Sequence, residues 1–160
     1  MGKIVLARID DRLIHGQVMT AWTQYTNANE IIVVDAKVAS DKFLTDIITS
    51  AVPDKMKALV LKPEDVVTHI SQETNEKNNY LLLAKGPKAF VEVIQHGIQL
   101  ESIDIGGMGQ KGDRKQLYRN IAANQEERAY FKKLLEKGVN VYIQVVPANK
   151  KIGLTNEMLG

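Results

Sequence analysis

The sequence predicts a single α/β domain, residues 1–160, built on one open, mostly parallel, twisted sheet with helices on both faces. Three observations carry this prediction. Short apolar runs alternate with amphipathic segments along the whole chain, which is the order of elements expected for βα units. The runs are apolar at consecutive positions, as in parallel strands covered on both sides. The 160 residues, 44% of them hydrophobic and 25% charged, suit one domain with a full core.

Six apolar runs predict the strands, and a seventh segment fits either a strand or a helix. The first run, KIVLAR, begins at Lys3. The seventh segment, QLYRNIAA at residues 116–123, carries apolar side chains that match neither period cleanly, and we favour a further strand over a short helix there. The six predicted strands cover residues 3–8, 30–36, 57–62, 79–85, 102–107 and 140–146.

Start and stop signals predict the helices between these strands. Ser40 is the expected N-cap of the helix after the second strand, and Pro63 opens the next helix. A third helix is expected to end at Gly97. The clearest helix covers residues 124–138, because Asn124 is a suitable cap, glutamates come early, lysines come late and a glycine follows.

Composition excludes several classes of function. The formal net charge of +2 is too small a surplus to indicate nucleic-acid binding without a clustered basic face. Because cysteine is absent, thiolate chemistry and disulfides are excluded. No metal-ligand spacing is present, and the apolar runs are far shorter than the roughly 20 residues of a membrane-spanning helix. The chain is expected to be soluble and to need neither a metal nor a cofactor.

A highly charged turn follows the first predicted strand. In ARIDDRLIHGQVM, residues 7–19, two arginines and two aspartates surround His15. A helix is expected to begin near Gly16, so His15 lies at a helix start beyond the carboxyl end of a strand, where ligands bind in open α/β sheets. The helix dipole, with Arg8 and Arg12, disfavours the imidazolium form, and the ring is therefore expected to be neutral and nucleophilic.

The same turn carries an anion clamp and an orienting group. The arginines present forked donors suited to an oxyanion, and the first backbone N–H groups of the helix add more. Asp10 or Asp11 can fix the histidine tautomer or hold an arginine in place. Phosphoryl transfer needs these parts, since its catalysis consists mostly of positioning and charge stabilisation. From the residues alone, surface ion pairs around a bystander histidine explain the pattern equally well.

The turn also resembles a known family. RIDDRLIHGQV, residues 8–18, is similar to the active-site loop of the IIB components of the bacterial sugar phosphotransferase system, in the mannose/fructose/sorbose class. EIIVVDAKVASDKF, from residue 30, resembles the second strand and following loop of that family, and residues 120–147 resemble its C-terminal helix, strand and closing Val-Pro. The resemblance implies a largely parallel sheet of about seven strands with the charged loop at its switch point.

The resemblance also implies a role for the side chains of the turn. His15 would be transiently phosphorylated, on Nδ1 in this class. It would receive the phosphoryl group from the phosphohistidine of a IIA protein and pass it to a sugar as the membrane components IIC and IID deliver that sugar. Arg12 and Arg8 would steady the phosphoryl group, and Asp10 would order the loop.

The remaining implications concern the helix start, the location and the partners. Gly16 and Gln17 would lend N–H donors to the phosphoryl group. The protein would be cytoplasmic and peripheral to the membrane through IIC and IID. The sugar stays open among mannose, fructose, sorbose and amino sugars, and so does a homodimer. The alternative function is a non-enzymatic module that senses sugar phosphates or other anions with the same loop.

A glycine-rich segment follows the fifth predicted strand. GMGQKG, residues 107–112, fits the dinucleotide-binding pattern G-x-G-x-x-G. That pattern belongs at the first βα turn with a strand-end acid about 20 residues on, and neither condition holds, so a dinucleotide-dependent oxidoreductase is disfavoured. Gly107, Gly109, Lys111 and Arg114 are instead candidates for a phosphate-facing wall opposite the first loop, against the alternative of an ordinary flexible turn.

The other histidines and several strand-end residues have structural explanations. His69 lies within a predicted helix, and His96 lies at a helix end, where the dipole favours a cation. Lys85 and Asp35 lie at the carboxyl ends of strands, and an ion pair between loops is their expected role. Trp22 is expected in the core or in an interface, because helical spacing already explains its position.

Overall fold

The fold is that of a computed structural model, which describes residues 1–53 and 56–160, with the side chain of Gln17 outside the described part. Seven of its strands form one open sheet, in which every neighbouring pair is parallel except the last, β8 with β9. The predicted fold class is confirmed. The strands of this sheet, in spatial order, are β3 (Lys57–Leu61), β2 (Glu30–Val34), β4 (Asn79–Ala84), β1 (Lys3–Asp10), β5 (Ser102–Gly107), β8 (Asn140–Ile143) and β9 (Ile152–Gly153).

The segment predicted as one further strand forms a hairpin instead. Its two short antiparallel strands are β6, Lys115–Tyr118, and β7, Ile121–Ala123, and they form a sheet of their own. Arg119, in the turn between them, has a positive φ of 51°. The prediction of extended structure was right, but a single strand was wrong, because the chain reverses at this turn.

The helices follow the predicted signals with one exception. Pro63 occupies the first position of its helix, and Gly97, with φ of +104°, follows the end of another. Ser40 is not the N-cap of α3: it ends the short helix α2, and the carboxylate of Asp41 caps α3 by accepting from the N–H of Leu44. The helices are α1 (Gly16–Thr26), α2 (Ala36–Ala39), α3 (Lys42–Ser50), α4 (Pro63–Ser71), α5 (Pro87–Gln95), α6 (Gln125–Glu136) and α7 (Asn156–Leu159).

Helices cover both faces of the sheet. On one face, Trp22 of α1 belongs to an apolar cluster with the strand residue Leu83. On the other face, Phe90 of α5 and Phe131 of α6 belong to a larger cluster with Leu82. Neighbouring residues of one strand therefore serve opposite cores, which explains why the runs are apolar at consecutive positions. None of the helices in the described residues is long and apolar enough to cross a membrane.

The first strand lies at the centre of this sheet. The chain passes from β1 to β2 and β3 on one side, returns to β4, and then crosses β1 to reach β5 on the other side. The direction of winding reverses at β1, and a crevice for ligands is expected beyond its carboxyl end. That end is Asp10, which lies within the charged turn.

Helix α6 should contribute substantially to stability through its buried face. Leu134 is fully buried in the larger cluster, whereas Glu136 in the same helix is exposed. We expect Leu134→Ala to lower the free energy of unfolding by about 2 to 5 kcal/mol, because a cavity adds to the lost transfer energy. Glu136→Ala, the matched control, should change it by less than about 0.5 kcal/mol. Urea unfolding measures both, and equal effects would contradict the assigned packing of α6.

Candidate functional site

The charged turn is anchored by its two apolar residues. Leu13 and Ile14 are buried in the cluster under α1. The N–H of Leu13 donates to the carbonyl of Asp10 at 2.9 Å, and Leu13 adopts a left-handed conformation with φ of +58°. His15 is the N-cap of α1 in extended backbone, and its side chain makes no capping bond, so within the described residues it leaves the first N–H groups of the helix uncapped.

The carboxylate of Asp10 is the point on which the charged side chains converge. It is fully buried. Its Oδ1 accepts from the backbone N–H and the Nε of Arg12 at 3.1 and 3.0 Å. Its Oδ2 accepts from Nη2 of Arg12 at 3.0 Å and from Nη2 of Arg8 at 3.3 Å. The hydrogen bonds to Asp10 raise the pKa of the Arg12 guanidinium above its ordinary value.

The ring of His15 lies against the same carboxylate. Nδ1 is 2.8 Å from the carbonyl oxygen of Leu13, and Nε2 is 3.7 Å from Oδ2 of Asp10. Because a carbonyl only accepts, the short contact is a hydrogen bond when Nδ1 carries the proton. Nε2 is buried and has no hydrogen-bond partner among the described residues. In the tautomer with the proton on Nδ1, the lone pair of Nε2 therefore lies inside the site.

Arg8 is enclosed by protein groups on every side. It is fully buried, and its Nη1 donates to Oδ2 of Asp104 and, at 3.0 Å, to the carbonyl of Gln144. Its Nη2 donates at 2.9 Å to the carbonyl of Val145. The guanidinium lies 5.0 Å from the ring centroid of Trp22, whose Nε1 donates to the same Val145 carbonyl. In this arrangement Arg8 holds Asp10, and its predicted contact with a phosphoryl group stays a prediction.

Asp104 completes the charged centre from the neighbouring strand. It is the register partner of Arg8 in the parallel pairing of β5 with β1, and it is fully buried. Burial raises the pKa of Asp104 to about 7, although Arg8 opposes the shift. Two residues along β5, a Cβ on Gly106 would overlap the guanidinium of Arg8. The absence of a side chain there makes room for the buried cation.

The predicted second loop lies beside the first. The carboxylate of Asp11 accepts from the N–H of Gly109 at 2.9 Å and from Nη1 of Arg114 at 2.8 Å, and it lies 3.5 Å from Nζ of Lys111. Arg114 also makes two hydrogen bonds to Glu127 in the capping box of α6. Partial burial raises the pKa of Asp11, but these donors outweigh it, so the pKa lies below its ordinary value.

Gly107 brings the two loops into direct contact. Its carbonyl accepts from the N–H of Asp11 at 3.0 Å, and a Cβ on Gly107 would lie 2.8 Å from Oδ1 of Asp10. The predicted residues of both loops are therefore neighbours. The side chain of Gln17 lies outside the described residues.

Other residues weighed from the sequence lie away from this centre. Nε2 of His69, on α4, lies 3.3 Å from Oε2 of Glu30, on β2, and the two form a separate pair. His96 is the C-cap of α5. Lys85 lies 3.9 Å from Asp35, in agreement with the expected ion pair between loops. Among the described residues, no side-chain hydrogen bond or ion pair joins these two pairs or His96 to the charged turn.

Sequence reasoning missed the partners that come from distant parts of the chain. Asp104 is the clearest case, because a single carboxylate inside the apolar run SIDIGG is a signal that was available. The backbone carbonyls of Gln144 and Val145 accept hydrogen bonds from Arg8, and a backbone acceptor cannot be recognised from the type of residue that carries it. Glu127 was explained by the helix dipole alone, although it also holds Arg114.

An open α/β domain with a histidine at a helix start, beyond the central strand and among arginines and carboxylates, is the arrangement expected of phosphotransferase-system IIB domains. The chain belongs to the family described as PTS system sorbose subfamily IIB component, which matches residues 4–159. The initials PTS stand for the sugar phosphotransferase system. The family expected from the charged turn is thereby confirmed.

Individual relatives agree with this assignment. The chain is 31% identical over 149 residues to a PTS system fructose-specific EIIB component of Bacillus subtilis, covering 93% of this chain and 91% of the relative. It is 34% identical over 152 residues to a mannose-specific EIIAB component of Escherichia coli, of which it covers 46%. The solved IIBSor domain of the sorbose permease from Klebsiella pneumoniae superposes with a TM-score of 0.90 at 29% identity, covering 98% of this chain and 96% of that domain.

The space at Gly106 should be needed for the buried cation. We expect Gly106→Ala to lower the free energy of unfolding by about 3 to 5 kcal/mol, because the added methyl group displaces Arg8 from its buried carboxylates. Gly153→Ala is the matched control: it is also a strand glycine, but its Cβ would meet nothing within 4 Å. Urea unfolding of both variants measures the difference. Similar stabilities would show that the guanidinium does not occupy this space.

Proposed function

We propose that this chain is a phosphocarrier: His15 accepts a phosphoryl group from the phosphohistidine of a IIA protein and passes it to a sugar during uptake through IIC and IID. The observation that carries the proposal is the position of the His15 ring, at the open start of α1 and 3.7 Å from the carboxylate that holds Arg12 and Arg8. The loop thus contains a nucleophile, His15, an orienting group, Asp10, and donors for an anion, which are Arg12 and the first N–H groups of α1.

The reaction balances without a cofactor. The lone pair of a neutral His15 nitrogen attacks phosphorus in line, its new P–N bond forms, and the P–N bond to the donor histidine breaks. The donor imidazole leaves with its electron pair. In the second step a sugar hydroxyl attacks phosphorus and forms a P–O bond, the P–N bond to His15 breaks with its electron pair returning to the imidazole, and the hydroxyl proton passes to solvent. Each step needs alignment and charge stabilisation more than covalent assistance from the protein.

The tautomer of His15 decides which nitrogen reacts. Nδ1 now faces the carbonyl of Leu13, so attack through Nδ1 requires that this hydrogen bond break and that the proton reside on Nε2. Nε2 is 3.7 Å from Oδ2 of Asp10, so a small shift of the ring toward this carboxylate would let Asp10 accept a hydrogen bond from that proton. Asp10 is then the orienting residue for the tautomer expected in this class, in which Nδ1 carries the phosphoryl group.

Two kinds of donor can receive the transferred group. The side chain of Arg12 is 53% exposed, and its Nη1 makes no hydrogen bond within the described residues. The backbone N–H groups of Gly16 and Gln17 begin α1, and the positive end of the helix dipole favours an anion there. Lys111, which is also largely exposed, extends the positive charge onto the second loop.

The partners follow from the family and from the names of the relatives. A IIA protein is the proposed donor, and the combined name EIIAB of the mannose-specific relative supports such a pairing. The membrane components IIC and IID and a sugar complete the proposed system, in which this single domain would work in the cytoplasm at the membrane surface. The relatives named for fructose, sorbose and mannose leave the sugar open.

Replacement of His15 tests the proposal directly. The native chain, mixed with a phosphorylated IIA protein, should take up one phosphoryl group that is labile in acid and stable in base. His15→Ala should abolish this label, whereas His69→Ala, which alters a histidine paired with Glu30 away from the site, should keep it. Phosphate release after acid treatment and ³¹P NMR of the intact protein measure the label.

The same experiment separates the alternative function. A module that only senses sugar phosphates predicts no covalent label on the native chain and saturable anion binding that survives His15→Gln. Label on the alanine variant equal to that on the native chain would refute the assignment of His15.

Arg12 should accelerate transfer by supporting the charge of the moving phosphoryl group. We expect Arg12→Gln to slow phosphorylation of the chain by about 100-fold, the size of effect seen when one charge-stabilising donor is removed. Arg119→Gln, which alters an exposed arginine in the hairpin turn, should leave the rate unchanged. Rapid quenching of the reaction with phosphorylated IIA measures both rates, and equal rates for the two variants would exclude this role.

A further inference from the structure

A second buried carboxylate lies one strand away from the proposed phosphoryl site. Asp104 faces Arg8 across the pairing of β5 with β1, and only its Oδ2 is bonded to the guanidinium. Its Oδ1 is buried without a hydrogen-bond partner among the described residues. An ionised carboxylate offers about four acceptor positions, so the negative charge of Asp104 is incompletely satisfied.

The charged neighbours of Asp104 form a chain that leads to the histidine. Arg8 bridges Asp104 and Asp10, and Asp10 in turn contacts Arg12 and the ring of His15. From the other side, β8 places Tyr142 in register with Asp104, and burial, with the charge of Asp104, raises the pKa of Tyr142 to about 12. The phenol is therefore neutral near pH 7. With every carboxylate and guanidinium ionised, the two carboxylates and two arginines balance.

We propose that Asp104 is a positioning residue that takes up a proton when His15 becomes phosphorylated and releases it when the phosphoryl group leaves. The inference rests on the proposed function of His15. A phosphoryl group adds between about 1.5 and 2 negative charges. The two arginines must then balance the phosphoryl group as well as two carboxylates. Both oxygens of Asp10 accept hydrogen bonds, whereas Oδ1 of Asp104 has no partner among the described residues, so burial neutralises Asp104 more readily.

The protonation step is simple and balanced. A proton from solvent adds to the carboxylate of Asp104 and gives a carboxylic acid, and no bond to phosphorus is involved. Burial already raises the pKa of Asp104 to about 7, and the negative charge of Asp10 contributes to that rise. A further anion on the His15 ring acts in the same direction, so it should move the titration from near neutrality to a clearly higher pH.

The mechanical consequence passes through Arg8. When Asp104 is neutral, the guanidinium has one anionic partner fewer and binds Asp10 more tightly. Asp10 then competes less for Arg12, whose donors can turn to the phosphoryl group. Protonation of Asp104 thus lets the site hold an anion without unbalancing the buried charges, and deprotonation favours its departure.

Carboxyl ¹³C NMR of the full chain tests the proposal. The chain is titrated between pH 5 and 9 before and after phosphorylation with phosphoramidate, a small P–N donor, and ³¹P NMR verifies the P–N product. The Asp104 carbon is assigned by through-bond correlation to its β protons, so no variant is required. We expect its midpoint to rise by about one pH unit or more on phosphorylation, whereas the exposed Asp46 carboxyl on α3 should show no difference between the two states.

The outcomes separate the two proposals. A P–N product on His15, absent from His15→Ala, with an unchanged Asp104 titration would overturn the inference and leave the function of His15 intact. No P–N product with either phosphoramidate or phosphorylated IIA would overturn both.

The variant Asp104→Asn gives a second test, the pH dependence of the phosphoryl-transfer equilibrium. A purely structural role of Asp104 would not change this pH dependence. Between the two Asp104 midpoints, phosphorylation of the native chain takes up one proton, so the equilibrium ratio of phosphorylated chain to phosphorylated IIA should fall as the pH rises. The native ratio should fall more steeply than that of Asp104→Asn, by up to about tenfold per pH unit. Parallel pH profiles for the two proteins would contradict proton coupling at this position.

Discussion

The buried guanidinium of Arg8 is the interaction on which the rest of the site depends. It lies at the centre of the sheet between two buried carboxylates, Asp10 and Asp104. Removing such charges from water is expensive, and the cost is offset only when nearly every donor finds an acceptor. The carbonyls of Gln144 and Val145 provide two further acceptors. A cation in this place contributes little net stability, but it fixes the direction of the strand-end carboxylate.

The two aspartates that follow the first strand divide the work of holding the loop. Asp10 points inward, to Arg8 and Arg12, while Asp11 points to the second loop and accepts from Arg114. Arg114 is itself fixed by the capping box of α6. The adjacent carboxylates thus connect the histidine loop to the centre of the sheet on one side and to a rigid helix start on the other. Such support on both sides is what a precisely placed group requires.

Much of the fold and part of the site could be predicted, and the division has a physical reason. The strands and most helices follow from local periodicity and caps, and the residues around His15 follow one another within a single turn. Asp104 could not be assigned to Arg8, because their contact depends on which strands become neighbours and in what register. The tautomer of His15 depends on the Leu13 carbonyl, which carries no signature in residue type. The N-cap at Ser40 failed because an adjacent aspartate competes for the same role.

If His15 carries a phosphoryl group as proposed, the charge balance of the site also limits how tightly that group is bound. A carrier must release the group it accepts, so stabilising the phosphorylated state strongly would slow the second transfer. In this chain the arginine nearest solvent, Arg12, already shares its donors with Asp10. A phosphoryl group on His15 would share this guanidinium with that carboxylate, which already takes Nε and Nη2 of Arg12, while Nη1 makes no hydrogen bond within the described residues. This sharing limits the affinity for the phosphoryl group while keeping a charged donor in place for transfer, and it requires a buried Asp10 that cannot turn away to solvent.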